Sequence, residues 1–340
     1  MCRFLPTYDT MVGKQHMNTQ KPILIVDAMN LFVRSYCAYP TMSSKGYQMG
    51  GCIGFLKTLR RIVNEQAPSV VYIAWEGGGS NKRRALYADY KMNRRPEKLN
   101  RFYEDDIPDS DDNKKHQIIA LLSMLKCAPV CQIYVSDCEG DDVIAYLCRN
   151  TFRNVDKIIV SSDKDMFQLL DDKTKVYSLH KKKYVTPEDV TNEFRVKPHN
   201  FALAKALCGD GSDNIPGVKG VGFKTVSRVL PFLGSDQELL LQEVFDYCHT
   251  HANESVIYRR IIENEDDVKR NWKLVFLDGG MLSQNQASKV DHTISTFRPS
   301  IDRMRMIKTL VKEGINDFDV EDFFYAFIGI DGLTTETHNE

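Results

Sequence analysis

Five groups of acidic residues could do chemistry in this 340-residue chain: Asp27; Glu76; Glu139, Asp141 and Asp142; Asp163 and Asp165; Asp210 and Asp213. Taken singly each has an ordinary explanation, because an acid after a strand commonly caps a helix or shapes a turn. Taken together they do not, since capping does not require five groups on one sheet edge. Asp27 ends the apolar run ILIVD at 23–27, and Glu76 follows VVYIAW at 70–75. Glu139 to Asp142 follow QIYV at 132–135, and Asp163 follows KIIVS at 157–161. The carboxyl ends of parallel strands form the edge on which open α/β sheets build their sites. Carboxylates crowded there repel by several kcal/mol at an effective dielectric of about 20. Either a cation offsets the repulsion or some of the acids stay protonated. Oxygen-only donors suit a hard divalent cation, Mg²⁺ or Mn²⁺.

A second chemical signal lies at 209–225, GDGSDNIPGVKGVGFKT, between the helical patterns FALAKALC and TVSRVLPFL. Gly217, Gly220 and Gly222 permit positive φ and close backbone approach, and Lys219 and Lys224 add charge. Amides opening the second helix would face a phosphate. A hairpin of this kind grips a duplex backbone without reading its bases. An ordinary turn between helices needs one or two glycines, and the GxxxxGK[ST] order of a nucleotide-binding loop is absent. Residues 82–101 set a dense group of Lys and Arg against only Asp89 and Glu97, and acids dominate 104–112. The formal net charge of −1 therefore averages over strong local segregation, which leaves room for a basic phosphate-binding surface.

The elements that must position these groups alternate along the first half. The strand runs are separated by helical patterns at 52–63, 116–126 and 140–149, with another starting at 164–170. This order predicts a parallel sheet flanked by helices. From about residue 190 strand signals thin out and helices are expected to dominate. Residues 92–115 are polar and contain Pro96 and Pro108, which argues against one continuous helix. Residues 1–20 lack the apolar core of a secretion signal and read as a flexible extension, with Met11 and Met17 as alternative starts. No run approaches the roughly 20 apolar residues that span a bilayer. The nine cysteines follow no zinc spacing or paired framework, so reduced, mostly buried thiols are expected.

Five segments in order between about residues 22 and 230 resemble the 5′ nuclease superfamily: ILIVDAMNL, RRALYADYKMNRRP, EGDDVIAYL, VSSDKDMFQLL and GDGSDNIPGVKGVGFKTV. The resemblance is strongest to the 5′–3′ exonuclease domain of bacterial DNA polymerase I and to free-standing bacteriophage flap nucleases. It implies a PIN-like α/β domain over 21–190, with 92–115 as an arch or loop. A helical DNA-binding region over 191–340 would carry a helix–three-turn–helix motif at about 200–230. By motif, Asp27, Glu76, Glu139 and Asp141 would form a first metal group, and Asp142, Asp163, Asp165, Asp210 and Asp213 a second. Two Mg²⁺ per site are implied, with Mn²⁺ as a substitute. The family usually has Asp where this chain has Glu76, in WEGGG. Arg83, Tyr90, Lys91 and Arg94 match a basic, aromatic-containing helix beside the site, and Ser212 matches a residue that helps bind potassium. Beyond residue 230 the resemblance is silent, and the absence of a following polymerase region points to the stand-alone form.

The activity so implied is hydrolysis near 5′ ends of branched or nicked DNA by two-metal chemistry. Lys91 would supply charge to the scissile phosphate. Arg83 and Arg94 would hold phosphates, and Tyr90 would stack on a displaced base. RNA–DNA primer junctions are a further expected substrate, with a monomer in the cytoplasm of a bacterial or phage-infected cell as the setting. Removal of RNA primers, a non-catalytic branched-DNA binder, and a phosphatase with an Asp nucleophile are the competing readings.

Overall fold

The computed structural model describes residues 21–79, 81–93 and 111–333. The expected extension at 1–20, Arg94 and most of the expected arch lie outside the described residues. The sheet has six strands: β1 (Ile23–Asp27), β2 (Val70–Trp75), β3 (Cys131–Tyr134), β4 (Lys157–Val160), β5 (Thr174–Ser178) and β6 (Lys183–Val185). Their order is β3-β2-β1-β4-β5-β6. All neighbours are parallel except β5 and β6. The first four strands match the apolar runs of the sequence. β5 and β6 do not, because each carries a lysine near its start and β6 is three residues long. β1 lies at the centre with β2 on one side and β4 on the other, so sheet growth reverses between β1 and β4. That reversal opens a crevice outside the carboxyl ends of these two strands.

Along the chain run α1 (Ala28–Ala38), α2 (Gly50–Gln66), α3 (Asn81–Leu86), α4 (Asp111–Leu125), α5 (Gly140–Tyr146), α6 (Pro187–Phe194) and α7 (Phe201–Cys208). They are followed by α8 (Phe223–Val229), α9 (Leu241–Thr250), α10 (Val256–Glu263), α11 (Glu265–Val275), α12 (Gln284–Thr296), α13 (Arg303–Glu313) and α14 (Val320–Tyr325). The helix expected to start at 164–170 is a 3₁₀ segment, Lys164–Leu169, and α5 passes into a π-helical turn at Leu147–Thr151.

Both faces of the sheet are buried, as a parallel sheet requires. Leu24 and Val26 pack on one face with α1, α2 and α4. Ile23 and Ile25 pack on the other with α5, α7 and the helices that follow. The last two helices return to the first face. Met306 and Leu310 of α13 and Phe323 and Phe324 of α14 share a core with Phe55 and Leu59 of α2. The helical stretch after residue 190 therefore divides between both faces, and the hydrophobic core runs through that position without a break. Cys52, Cys127, Cys131, Cys138, Cys148, Cys208 and Cys248 are free thiols, and no helix among the described residues is long and apolar enough to cross a membrane.

Phe323, on α14, is fully buried in the core that α14 shares with α2. Phe323→Ala should cost about 3–5 kcal/mol by leaving a cavity. Chemical denaturation should still show one transition, because sheet and C-terminal helices share the core. Two separated transitions would show that the C-terminal helices fold on their own.

Candidate active site

The ordinary explanations for the acids turn out to be true locally and are what aim them. Asp27 ends β1 and caps α1, its Oδ1 accepting from the Asn30 amide at 3.1 Å while Oδ2 accepts from the Ser161 hydroxyl at 2.9 Å. Asp163 caps the 3₁₀ segment after β4 by accepting from the Asp165 amide at 2.9 Å, and its own amide donates to the Ser161 hydroxyl. Glu139 is the N-cap residue of α5. Glu76 is fixed by the residue after it: a Cβ on Gly77 would stand 1.6 Å from the Val135 carbonyl, and the Gly77 amide donates to the Cys138 carbonyl at 2.9 Å. Each strand end thus delivers one carboxylate to the same crevice.

The result is an open cleft of about 580 Å³ whose lining includes Asp27, Glu76, Glu139, Asp141, Asp163 and Lys91. Burial pushes the Asp27 carboxyl up to about 6, with Asp163 and Glu76 adding repulsion. Burial also raises Asp141 well above the ordinary carboxylate range, helped by Asp163 and Asp27. Asp163 is raised by burial as well, against the pull of Lys205. Such crowding is tolerable with a counter-cation and costly without one. The donor set is all oxygen, so it fits a hard divalent cation.

A second group adjoins the first. Asp165, Asp210 and Asp213 place carboxylate oxygens within 4.8 Å of one another. Burial would raise Asp210, but the Lys205 ammonium at 2.6 Å and the Ser212 hydroxyl bring it down to about 2. Lys205 also pairs with Asp165. Sequence reading missed this lysine, although a single cation inside the apolar helix FALAKALC, five residues before Asp210, was a signal that it must have a carboxylate partner. Asn30 and Arg34 on α1 also line the cleft and were not anticipated.

Four expectations need correction. Asp142 does not face the cleft: at the third position of α5 it turns back to accept from the Glu139 amide at 3.3 Å. It is held by Arg83 through Nη1 at 2.8 Å and Nη2 at 2.7 Å. Arg83, expected to hold substrate phosphate, is 1% exposed and also donates to the Leu274 carbonyl at 2.9 Å. Its buried guanidinium anchors α5 instead. Tyr90, expected to stack on a base, is 4% exposed, and its hydroxyl donates to Glu139 at 3.1 Å. The segment carrying Tyr90 and Lys91 is a turn after the short α3 rather than part of a helix. Lys91 adopts positive φ (58°), a conformation that non-glycine residues keep only where surroundings enforce it. Its amide donates to the Asp213 carbonyl at 2.9 Å and its ammonium meets Glu139 at 2.8 Å. One residue thereby ties both carboxylate groups.

The glycine-rich loop joins α7 to α8. Gly217 is a packing requirement, since a Cβ there would lie 2.0 Å from the Cys208 carbonyl. Asn271 clamps the loop from α11 by donating to the carbonyls of Ala206 and Pro216. Gly220 has φ of +79°, Gly222 opens onto free space, and Lys219 and Lys224 are exposed.

A family model described as the 5′–3′ exonuclease, N-terminal resolvase-like domain, matches residues 22–195. The chain belongs to the 5′–3′ exonuclease family. A 5′–3′ exonuclease of Aquifex aeolicus (strain VF5) is 32% identical over 222 residues, 65% of this chain and 72% of that protein. The thermostable DNA polymerase I of Thermus aquaticus is 28% identical over 255 residues, 74% of this chain but 28% of the polymerase. In fold, the chain is similar to a bacteriophage T5 flap endonuclease in a pseudo-enzyme–product complex with DNA and metal ions. The TM-score is 0.63 at 18% identity, covering 81% of this chain and 98% of that one. It is also similar to flap endonuclease-1 from Methanococcus jannaschii, with a TM-score of 0.52 at 14% identity over 90% of this chain and 93% of that one. This 5′ nuclease therefore has the PIN-like α/β fold of its superfamily, and Asp165, Asp210 and Asp213 form a cluster that could hold a metal ion.

The metal-free nuclease should carry the cost of that cleft visibly. The folded pKa of Asp27, about 6, exceeds its unfolded value of 3.8, so its ionised form opposes folding. The penalty is absent below about pH 4, grows as pH rises through 6, and reaches on the order of 3 kcal/mol above that. In EDTA at pH 7.5, Asp27→Asn should raise Tm, while the Tm increase on adding Mg²⁺ should shrink. A variant that melts at or below the parent in EDTA would show that repulsion at Asp27 is not a significant cost.

Proposed function

We propose that the chain is a structure-specific 5′ nuclease that hydrolyses phosphodiesters near 5′ ends of branched or nicked DNA with two divalent cations. The observation that carries this reading is the convergence of acids from β1, β2, β3 and β4 on one crevice, with Lys91 at its wall. Asp27, Glu76, Glu139, Asp141 and Asp163 would hold one cation, and Asp165, Asp210 and Asp213 the other, with sharing between them. When bound, such cations activate a water for in-line attack and offset charge on the departing oxygen. Asp142 serves by keeping Arg83 and the start of α5 in place.

The protein's own cations do the rest. The Lys91 ammonium, held at Glu139, would turn to the scissile phosphate as negative charge develops there. Arg34, exposed on the rim, would hold a neighbouring phosphate. The loop with Lys219, Gly220, Gly222 and Lys224 would grip duplex backbone, as the helix–three-turn–helix reading of 200–230 requires. Because α8 is only seven residues long, the lysines and loop amides would carry that grip more than a helix dipole. The potassium expected at this loop would draw on backbone carbonyls and on the Ser212 oxygen, whose hydroxyl donates to Asp210 at 2.6 Å and keeps its lone pairs.

The test is cleavage of an end-labelled 5′-flap duplex with and without Mg²⁺, with product lengths resolved and an RNA-primed duplex run alongside. Cutting at the junction that needs Mg²⁺ is expected. Asp163→Asn should abolish it while DNA binding persists. Lys91→Ala should slow single-turnover cleavage by about 10²–10³-fold, far more than it weakens binding. Cleavage that survives EDTA, or full activity in Asp163→Asn, would overturn the metal reading. Cutting confined to the RNA-primed duplex would move the assignment to primer removal.

A further inference from the structure

Away from the carboxylates, two clefts meet on the far side of α7. One, about 350 Å³, is walled by apolar groups that include Leu203, Leu240, Phe245 and Trp272. The other, about 400 Å³, is lined by Arg149 and Arg153 and reaches Gln168 and Asp171. His199 and Glu238 line both, so the two form one groove. Its position is set by the catalytic elements without entering the site. Leu203 and Lys205 are about 200° apart around α7, and Gln168 is three residues beyond Asp165 on the 3₁₀ segment.

The groove is prepared for a ligand in three respects. Arg149 sits in the π-helical turn, a geometry often kept at functional positions. It is aimed by donating to the Gln168 carbonyl at 3.2 Å and lies 5.5 Å from the Phe276 ring. Arg149, Arg153 and Lys273 have no carboxylate partner among the described residues. Leu240, at 69% exposure, and the stacked pair of Trp272 and Phe276 (centroids 4.6 Å apart, planes at 16°) leave apolar surface beside these cations.

We propose that this groove docks an acidic peptide of a partner protein, seating one aromatic or large aliphatic side chain in the apolar cleft and its carboxylates on Arg149, Arg153 and Lys273. Charge complementarity selects an acidic occupant. The apolar cleft offers a large side chain walls of Leu203, Leu240, Phe245 and Trp272. The His199 ring meets the Ser235 carbonyl at 3.2 Å, and the Gln242 amide donates to Asp246 at 2.9 Å. The groove lies behind the acidic cluster, so a docked peptide leaves the cleft open to DNA.

Trp272 supplies the readout, since the chain has two tryptophans and the other, Trp75, is 4% exposed. The full chain is titrated with a synthetic peptide of four aspartates ending in phenylalanine. Companion peptides have the phenylalanine replaced by alanine or the aspartates by asparagine, and a 12-nucleotide single strand is run in parallel. A saturable change in tryptophan fluorescence with the first peptide, absent with both altered peptides, is expected. The exposed-site variants Leu240→Asp and Lys273→Glu should each weaken that binding at least about tenfold. Both variants should cleave a 5′-flap duplex like the parent, which establishes that they are folded. Failure of the first peptide to saturate, or unchanged binding in both variants, overturns the proposal. So does a response to the oligonucleotide alone, which would make the groove a nucleic-acid site.

Discussion

Repulsion among carboxylates at the carboxyl edge of β1 and β4 is the constraint to which the rest of the structure answers. A parallel sheet with a growth reversal beside β1 forces several strand ends toward one crevice, and here those ends carry acids. Three of the acids are held by bonds that also serve the backbone. Asp27 caps α1, Asp163 caps a 3₁₀ segment, and Asp142 closes back on the start of α5. The fold cannot relax the repulsion by swinging these side chains away without uncapping a helix, which costs about 1 kcal/mol or more each time. Local order and electrostatic strain are therefore secured by the same hydrogen bonds.

Much of this was legible in the sequence, and the rest was hidden for definable reasons. β1, β2 and β4 are apolar runs that no other element explains, and acids placed just after them had to share an edge. β5 escaped notice because Thr174 and Lys175 break its apolar character, although Thr174 is fully buried. The return of α13 and α14 to the sheet was invisible because an amphipathic helix declares an apolar face and not its partner. Arg83 and Tyr90 were misread for a related reason. Basic and aromatic residues close together suggest a nucleic-acid surface, and the carboxylates that bury these two lie about fifty residues further along the chain or more. Lys205 shows the converse: burial inside an apolar helix was evident, and only the identity of its partners required the fold.

The protein's own cations divide the acids into two classes. Arg83 neutralises Asp142 from behind the cleft, Lys91 meets Glu139 at its wall, and Lys205 lies against Asp165 and Asp210. Asp27 and Asp141 have no cation of this kind in hydrogen-bond contact among the described residues, and they are the acids whose carboxyls burial and mutual repulsion raise most clearly. A divalent cation bound at Asp27, Asp141 and their neighbour Asp163 would relieve the most electrostatic energy, because the least has already been offset there. The second cluster has its charge partly satisfied by Lys205, and a cation arriving there competes with an ammonium already in place. The amino-acid chain thus sets an order on its two groups of carboxylates: one is left with its charge unoffset, and the other is already met by a lysine.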